Sequence, residues 1–182
     1  MEVVVMNGNL GSAMFSKDLR YRYALSRVFP EFEEEAPVSI CQFIMLNPST
    51  ADHDVSDPTV TRCMAYARRW GHTGLLVTNL FGLRATDPRE LYKAEDPFGE
   101  GNTKFVLSAA EQPEVKRVVC AWGTHGALKN AGPDMIELLW QSGHYAKDCT
   151  PYALKLTKDG HPAHPLYLRA DLEPTVLLAG DD

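Results

Sequence analysis

CQFIMLNPSTADHD, residues 41–54, decides how the rest of the chain is read. Its first half is a continuous apolar run of the length of one strand, without the alternation of a half-exposed one, so it reads as a strand covered on both faces. Its second half turns abruptly polar, delivering Asn47, Pro48, Ser49, Thr50, Asp52, His53 and Asp54 at the strand's carboxyl end. Two further apolar runs behave the same way: GLLVTN (74–79) ends on Asn79, and VKRVVCAWG (115–123) ends on Trp122-Gly123. Helical patterns separate the three. Between the first two, DPTVTRCMAYARRWG (57–71) carries Asp57 as N-cap, Pro58 at the first helical position, Val60, Met64 and Ala67 on one face, and Gly71 at its end. DPRELYK and GNTKFVLSAAEQ follow the second, and GALKNAGPDMIELLWQSG, interrupted at Gly132-Pro133, follows the third.

Buried strands alternating with helices predict an α/β sandwich, a parallel sheet with helices on both faces. Its core strands are 40–46, 75–79 and 116–121. In open α/β sheets ligands bind beyond the carboxyl ends of the strands, so Asn47, Asn79 and Trp122 are expected on one edge, around one pocket. Earlier in the chain, EVVVM (2–6) and YRYALSRVF (21–29) read as strands, the second half-exposed.

The 182 residues form one expected domain, 1–182, large enough to fold around a core without disulfides or metals. No run reaches the roughly 20 apolar residues of a membrane span, and the start is acidic where a signal peptide would be basic. A cytoplasmic protein that does not contact membranes is the expectation. Cys41, Cys63, Cys120 and Cys149 are scattered without a C-x-x-C pair, which fits reduced, buried thiols. His161 and His164 flank Pro162, which breaks a helical H-x-x-H, and Cys149 does not complete a ligand set; no metal or cofactor is expected.

A net charge of -6 argues against an unspecific polyanion binder. The charge is segregated, however: Arg62, Arg68, Arg69, Arg84, Arg89 and Lys93 outnumber the acids between 57 and 93, while EFEEE (31–35) and the terminal DD hold acid. That basic middle either faces phosphate or is a solvated surface.

Several motifs in fixed order, FIMLNPSTAD, DPTVTRC, WGHTGLLVTNLFGLRATDP, VVCAWG and GHPAHPLYL, resemble an uncharacterised family of bacterial and phage proteins, the domain of unknown function numbered 1643, over roughly residues 15 to 172. The succession strand-Asn-Pro, strand-Asn, strand-Trp-Gly and a late His-Pro is also similar to the uracil-DNA glycosylase superfamily, in particular its mismatch-specific branch. That resemblance implies a three-layer α/β/α sandwich with a central, mainly parallel sheet, uracil-DNA-glycosylase-like, and a hydrolase of N-glycosidic bonds acting on DNA or a nucleotide. It makes Asn47 the holder of the attacking water, Asn79 the reader of a pyrimidine edge and His164 the stabiliser of the departing base. It implies too that Asn47→Asp would restore the carboxylate of a faster branch. Ser49, Leu166 and Tyr167 depart from the superfamily's residues next to these motifs, and its clustered iron-sulfur cysteines are missing.

Such chemistry builds positive charge on the sugar and negative charge on the base, so a held water and a donor for the anion lower the barrier. Asp52 is a candidate general base beside His53 and Asp54. Pro48, Ser49 and Thr50 are candidate substrate contacts, Arg84 a candidate phosphate grip, and Phe81, Trp122 and Tyr167 candidate walls for a flipped base. Each has a plainer reading: a turn for Asn47-Pro48, a cap for Ser49 or Asn79, a surface ion pair for Arg84, core packing for Trp122. A noncatalytic module that binds nucleic acid or nucleotide is the rival function, a small-molecule hydrolase or transferase using Asp52 and His53 a further one, and the oligomeric state is open.

Overall fold

A computed structural model describes residues 2–32, 36–49, 51, 54–143 and 150–178. The chain runs β1 (Val3–Asn7), β2 (Gly11–Ser16), β3 (Arg22–Val28), β4 (Ile40–Met45), α1 (Pro58–Arg69), β5 (Gly74–Asn79), α2 (Arg89–Lys93), α3 (Asn102–Ala110), β6 (Val115–Cys120), a 3-10 segment (Thr124–Asn130), α4 (Ala131–Gly143), β7 (Pro151–Ala153), a 3-10 turn (Pro165–Tyr167) and β8 (Thr175–Val176). The strands form one sheet in the order β1-β2-β3-β5-β4-β6-β7-β8.

This is an α/β fold whose sheet is mixed, which corrects the expectation of a mainly parallel one. Only β5, β4, β6 and β7 run parallel; β1, β2 and β3 form an antiparallel meander laid antiparallel on β5, and β8 closes the other side antiparallel to β7. The short connections between β1, β2 and β3 impose antiparallel pairing, whereas the helix-length connections after β4, β5 and β6 permit parallel pairing.

β4 is central because both its faces are apolar. Cys41, Phe43 and Met45 join α1 residues Val60, Cys63, Tyr66 and Ala67 in one buried cluster, while Ile44 and Leu46 join Val106 and Ala110 of α3 and Met135 and Leu139 of α4 in another. The one polar residue inside β4, Gln42, is fully buried and donates to Thr78 Oγ1 (3.0 Å) and the Val106 carbonyl (3.2 Å). α1 begins as its sequence dictates: Asp57 accepts from the Val60 N–H at 2.8 Å, with Pro58 just behind it. Met64, expected on the inner face, is only partly buried there; Cys63 and Tyr66 are fully buried beside Val60 and Ala67.

Two local expectations change. β3 is buried along nearly all its length, because it lies between β2 and β5 and not at an edge. The break in the fourth helical pattern falls at Leu128–Asn130, where Lys129 (φ 52°) and Asn130 (φ 58°) are left-handed, and Pro133 lies in the first turn of α4, where a missing N–H costs nothing. No helix among the described residues is long and apolar enough to cross a membrane.

Candidate functional site

β4 connects through α1 to β5 on one side, and β5 connects through α2 and α3 to β6 on the other. The loops leaving β4 and β6 therefore diverge, opening a crevice where α/β sheets place their ligands. A cavity of about 550 Å³ lies there, inside the 300–1,000 Å³ range of small-molecule sites. Asn47, Ser49, Asn79, Trp122, His164 and Tyr167 all line it, so residues far apart in sequence meet at one edge.

The edge is held by backbone bonds between neighbouring loops. Met45 and Leu46 carbonyls accept from Leu80 and Phe81 N–H groups at 2.9 Å each, and the Pro48 carbonyl accepts from Ala85 N–H at 3.0 Å. Asn47 reinforces this staple: its Nδ2 donates to the carbonyls of Ala85 (2.7 Å) and Pro48 (3.0 Å), and Oδ1 is its remaining acceptor. Asn102, at the start of α3, donates to the carbonyls of Asn79 (2.9 Å) and Leu80 (3.0 Å) and so fixes the end of β5.

Asn79 itself is 1% exposed, and neither its Oδ1 nor its Nδ2 has a hydrogen-bond partner among the described residues. A buried amide with two idle atoms costs about 1–3 kcal/mol. Asn79 lines the cavity, and its amide carries a donor and an acceptor side by side, the pattern that matches a ligand edge offering an acceptor and a donor at the same spacing.

His164 arrives from the far end of the chain. Gly123 (φ 73°) donates its N–H to the Pro162 carbonyl at 2.8 Å, and a Cβ on Gly123 would lie 3.7 Å from His164 Cβ, so the loop carrying His164 abuts the end of β6. Tyr66 of α1 donates its hydroxyl to the Arg169 carbonyl, anchoring the segment after it. His164 Nδ1 accepts the Leu166 N–H at 3.4 Å, which puts the ring proton on Nε2. Burial pushes its pKa down from the ordinary histidine value, with the Asp57 charge pulling weakly the other way. The ring is therefore a neutral donor at neutral pH.

Trp122 is 1% exposed, with its Nε1 unpartnered among the described residues. It fits only because Gly126 lacks a side chain: a Cβ there would fall 2.1 Å from Trp122 Cδ1. Tyr167, by contrast, is 88% exposed at the mouth.

Other expected site residues lie elsewhere. Phe81 is fully buried against Phe98, ring centroids 4.9 Å apart, and does not line the cavity. Pro48 is buried and acts through its carbonyl. Arg84 is exposed, donates to the Leu19 carbonyl at 3.1 Å and covers the Phe15 ring at 5.1 Å. Arg68 pairs with Glu31 over the Phe29 ring, and none of the six basic residues between 57 and 93 lines the cavity. Thr50, Asp52, His53 and Cys149 lie outside the described residues; Cys41, Cys63 and Cys120 are free and buried.

Three titratable cavity residues escaped sequence reading as site residues. Arg22 opens β3 and is 2% exposed, with its Nη1 donating to the Ala51 carbonyl. In sequence it was one polar residue of an alternating strand. His125, with Tyr92 Oη 3.1 Å from its Nδ1, lies just beyond the Trp-Gly motif. Asp57 was legible only as a helix cap, yet it lines the same cavity.

The chain belongs to the family described as "Protein of unknown function (DUF1643)", whose model matches residues 22–166. No curated protein and no solved structure matches it.

Proposed function

We propose that this family member hydrolyses the N-glycosidic bond of a pyrimidine, in a nucleotide or in nucleic acid. The observation that carries the reading is the Asn79 amide, buried in the lining of the cavity with both polar atoms unpartnered among the described residues. An amide reads the acceptor and donor on a pyrimidine's edge through two parallel hydrogen bonds, and such a ligand relieves the cost of the idle pair. The neutral His164 supports it: an Nε2–H donor stabilises negative charge developing on a departing base without first binding that charge in the ground state. Asn47 Oδ1 orients the water. Trp122 forms a wall of the pocket, and Tyr167 offers an exposed ring at its mouth. Helical clusters on both faces of the sheet and the order of motifs along it support, in the same reading, a three-layer glycosylase-like sandwich.

A noncatalytic binding module is the second reading, favoured by one fact: Asn47 Nδ2 is occupied by two carbonyls and serves the loop. Excess protein incubated with labelled single-stranded and duplex oligonucleotides containing uracil or modified pyrimidines, and with pyrimidine nucleotides, decides between them. Alkali-labile breakage or free base is expected. Saturable binding without base release, abolished by Asn79→Ala, establishes the module instead.

A further inference from the structure

We propose that Asp57 is the carboxylate that activates the attacking water, a role beyond the helix cap that its place in the sequence gives it. The inference rests on the hydrolase reading above. Among the described residues Asp57 supplies the one carboxylate that lines the cavity. Its Oδ1 accepts the Val60 N–H at 2.8 Å, while Oδ2 has no partner among the described residues and the side chain is only half-buried. Capping therefore orients the carboxylate and leaves one oxygen for chemistry.

The division of labour follows from what each group can do. Asn47 can align a water through Oδ1 but cannot take its proton. His164 keeps its proton on Nε2 and serves as a donor. A base is the missing part, and the N-terminus of α1 presents one on a different element from the donor, within the same cavity. The electrostatic influence of Asp57 on His164 is the second sign that the two share one site.

The step balances without a further reactant. Asp57 Oδ2 takes a proton from water as the water oxygen bonds to the anomeric carbon; the carbon-nitrogen bond breaks and its electron pair passes to the base nitrogen. The base anion, hydrogen-bonded by His164 Nε2–H, takes a proton from solvent, and Asp57 returns its own to solvent. Net, one water is divided across the bond.

Asp57→Asn separates the two roles, because Asn caps a helix as well as Asp does but cannot accept the proton. The expected result is a fall in single-turnover base release of about 10²–10⁴-fold, the range of general base catalysis, with unchanged oligonucleotide affinity and unchanged Tm. Asp57→Ser, which also caps, guards against a folding defect peculiar to Asn. If either variant releases base at the wild-type rate, Asp57 is a cap alone and the proposal is overturned while the hydrolase reading stands. If the wild type releases no base from any of these substrates, both fall together.

Discussion

Replacing Asn79 with leucine should make the empty protein more stable and its site useless. The amide has two buried atoms without partners among the described residues, and an unsatisfied buried polar group costs about 1–3 kcal/mol. Leucine has the same branched shape and the same number of side-chain heavy atoms, so Asn79→Leu removes that cost without opening a cavity. The neighbouring bonds survive, because Asn102 binds the backbone carbonyl of Asn79 and not its side chain. For a domain of this length each kcal/mol shifts Tm by about 2–4 °C, so the rise should be about 2–12 °C by thermal unfolding. Uridine monophosphate or a uracil oligonucleotide should raise the wild-type Tm in proportion to its occupancy of the folded state and leave the variant unmoved. A variant that melts below the wild type would refute the argument, since it would mean the amide is satisfied in solution and belongs to the scaffold.

Two further outcomes follow from buried groups away from the site. His72 is 5% exposed, with Nδ1 2.9 Å from Ser39 Oγ, and burial, with a smaller push from the Arg117 charge, lowers its pKa from 6.5 to about 4. Because the folded value lies below the unfolded one, the folded state resists protonation: no stability is lost above pH 6.5, and about 2–3 kcal/mol is lost as pH falls to 4. Urea titrations from pH 7 to 4 should show that slope reduced in His72→Gln; an equal slope would exclude His72 as its source. Burial also raises the pKa of the Cys41, Cys63 and Cys120 thiols. They should react with a disulfide reagent only after denaturation, and rapid labelling of any of them in the native state would contradict their packing.

The parts of the fold legible in the sequence are those whose signal is local and strong. β4 could be placed among the core strands of the sheet because a strand apolar on both faces must be covered on both, and the start of α1 because Asp-Pro is both cap and first turn. β2 was not legible: GSAMFS is half glycine and serine, and its pairing with β1 and β3 supplies what its composition lacks. β7 and β8, three and two residues long, are shorter than any periodicity can mark. The burial of β3 was misjudged for a different reason. Arg22 and Arg27 are charged residues of the kind that mark solvent, yet both are buried, Arg22 bonded to the Ala51 carbonyl and Arg27 to Ser56 Oγ and the Ser26 and Val55 carbonyls. A charge in a strand marks solvent only when no loop folds back to satisfy it.

The same limit governs the site. Strand ends are visible in sequence, so Asn47, Asn79 and Trp122 could be assigned to one edge; which atom of each is spoken for is a property of the loops. For Asn47 that distinction reverses an expectation. By resemblance, Asn47→Asp restores a carboxylate and raises the rate. In the structure Nδ2 donates to two carbonyls, at 2.7 and 3.0 Å, and the substitution sets a carboxylate oxygen against both. Losing the donor at a part-buried site costs about 1–3 kcal/mol, and repulsion adds to it. Asn47→Asp should therefore lower Tm and slow base release as the loop between β4 and α1 parts from Ala85. The Tm deficit should shrink between pH 7 and pH 4, because a protonated carboxyl can donate to one of the two carbonyls. Faster base release at an unchanged Tm would show that the amide does not brace the loop and that a carboxylate at this position speeds the reaction, as the resemblance implies.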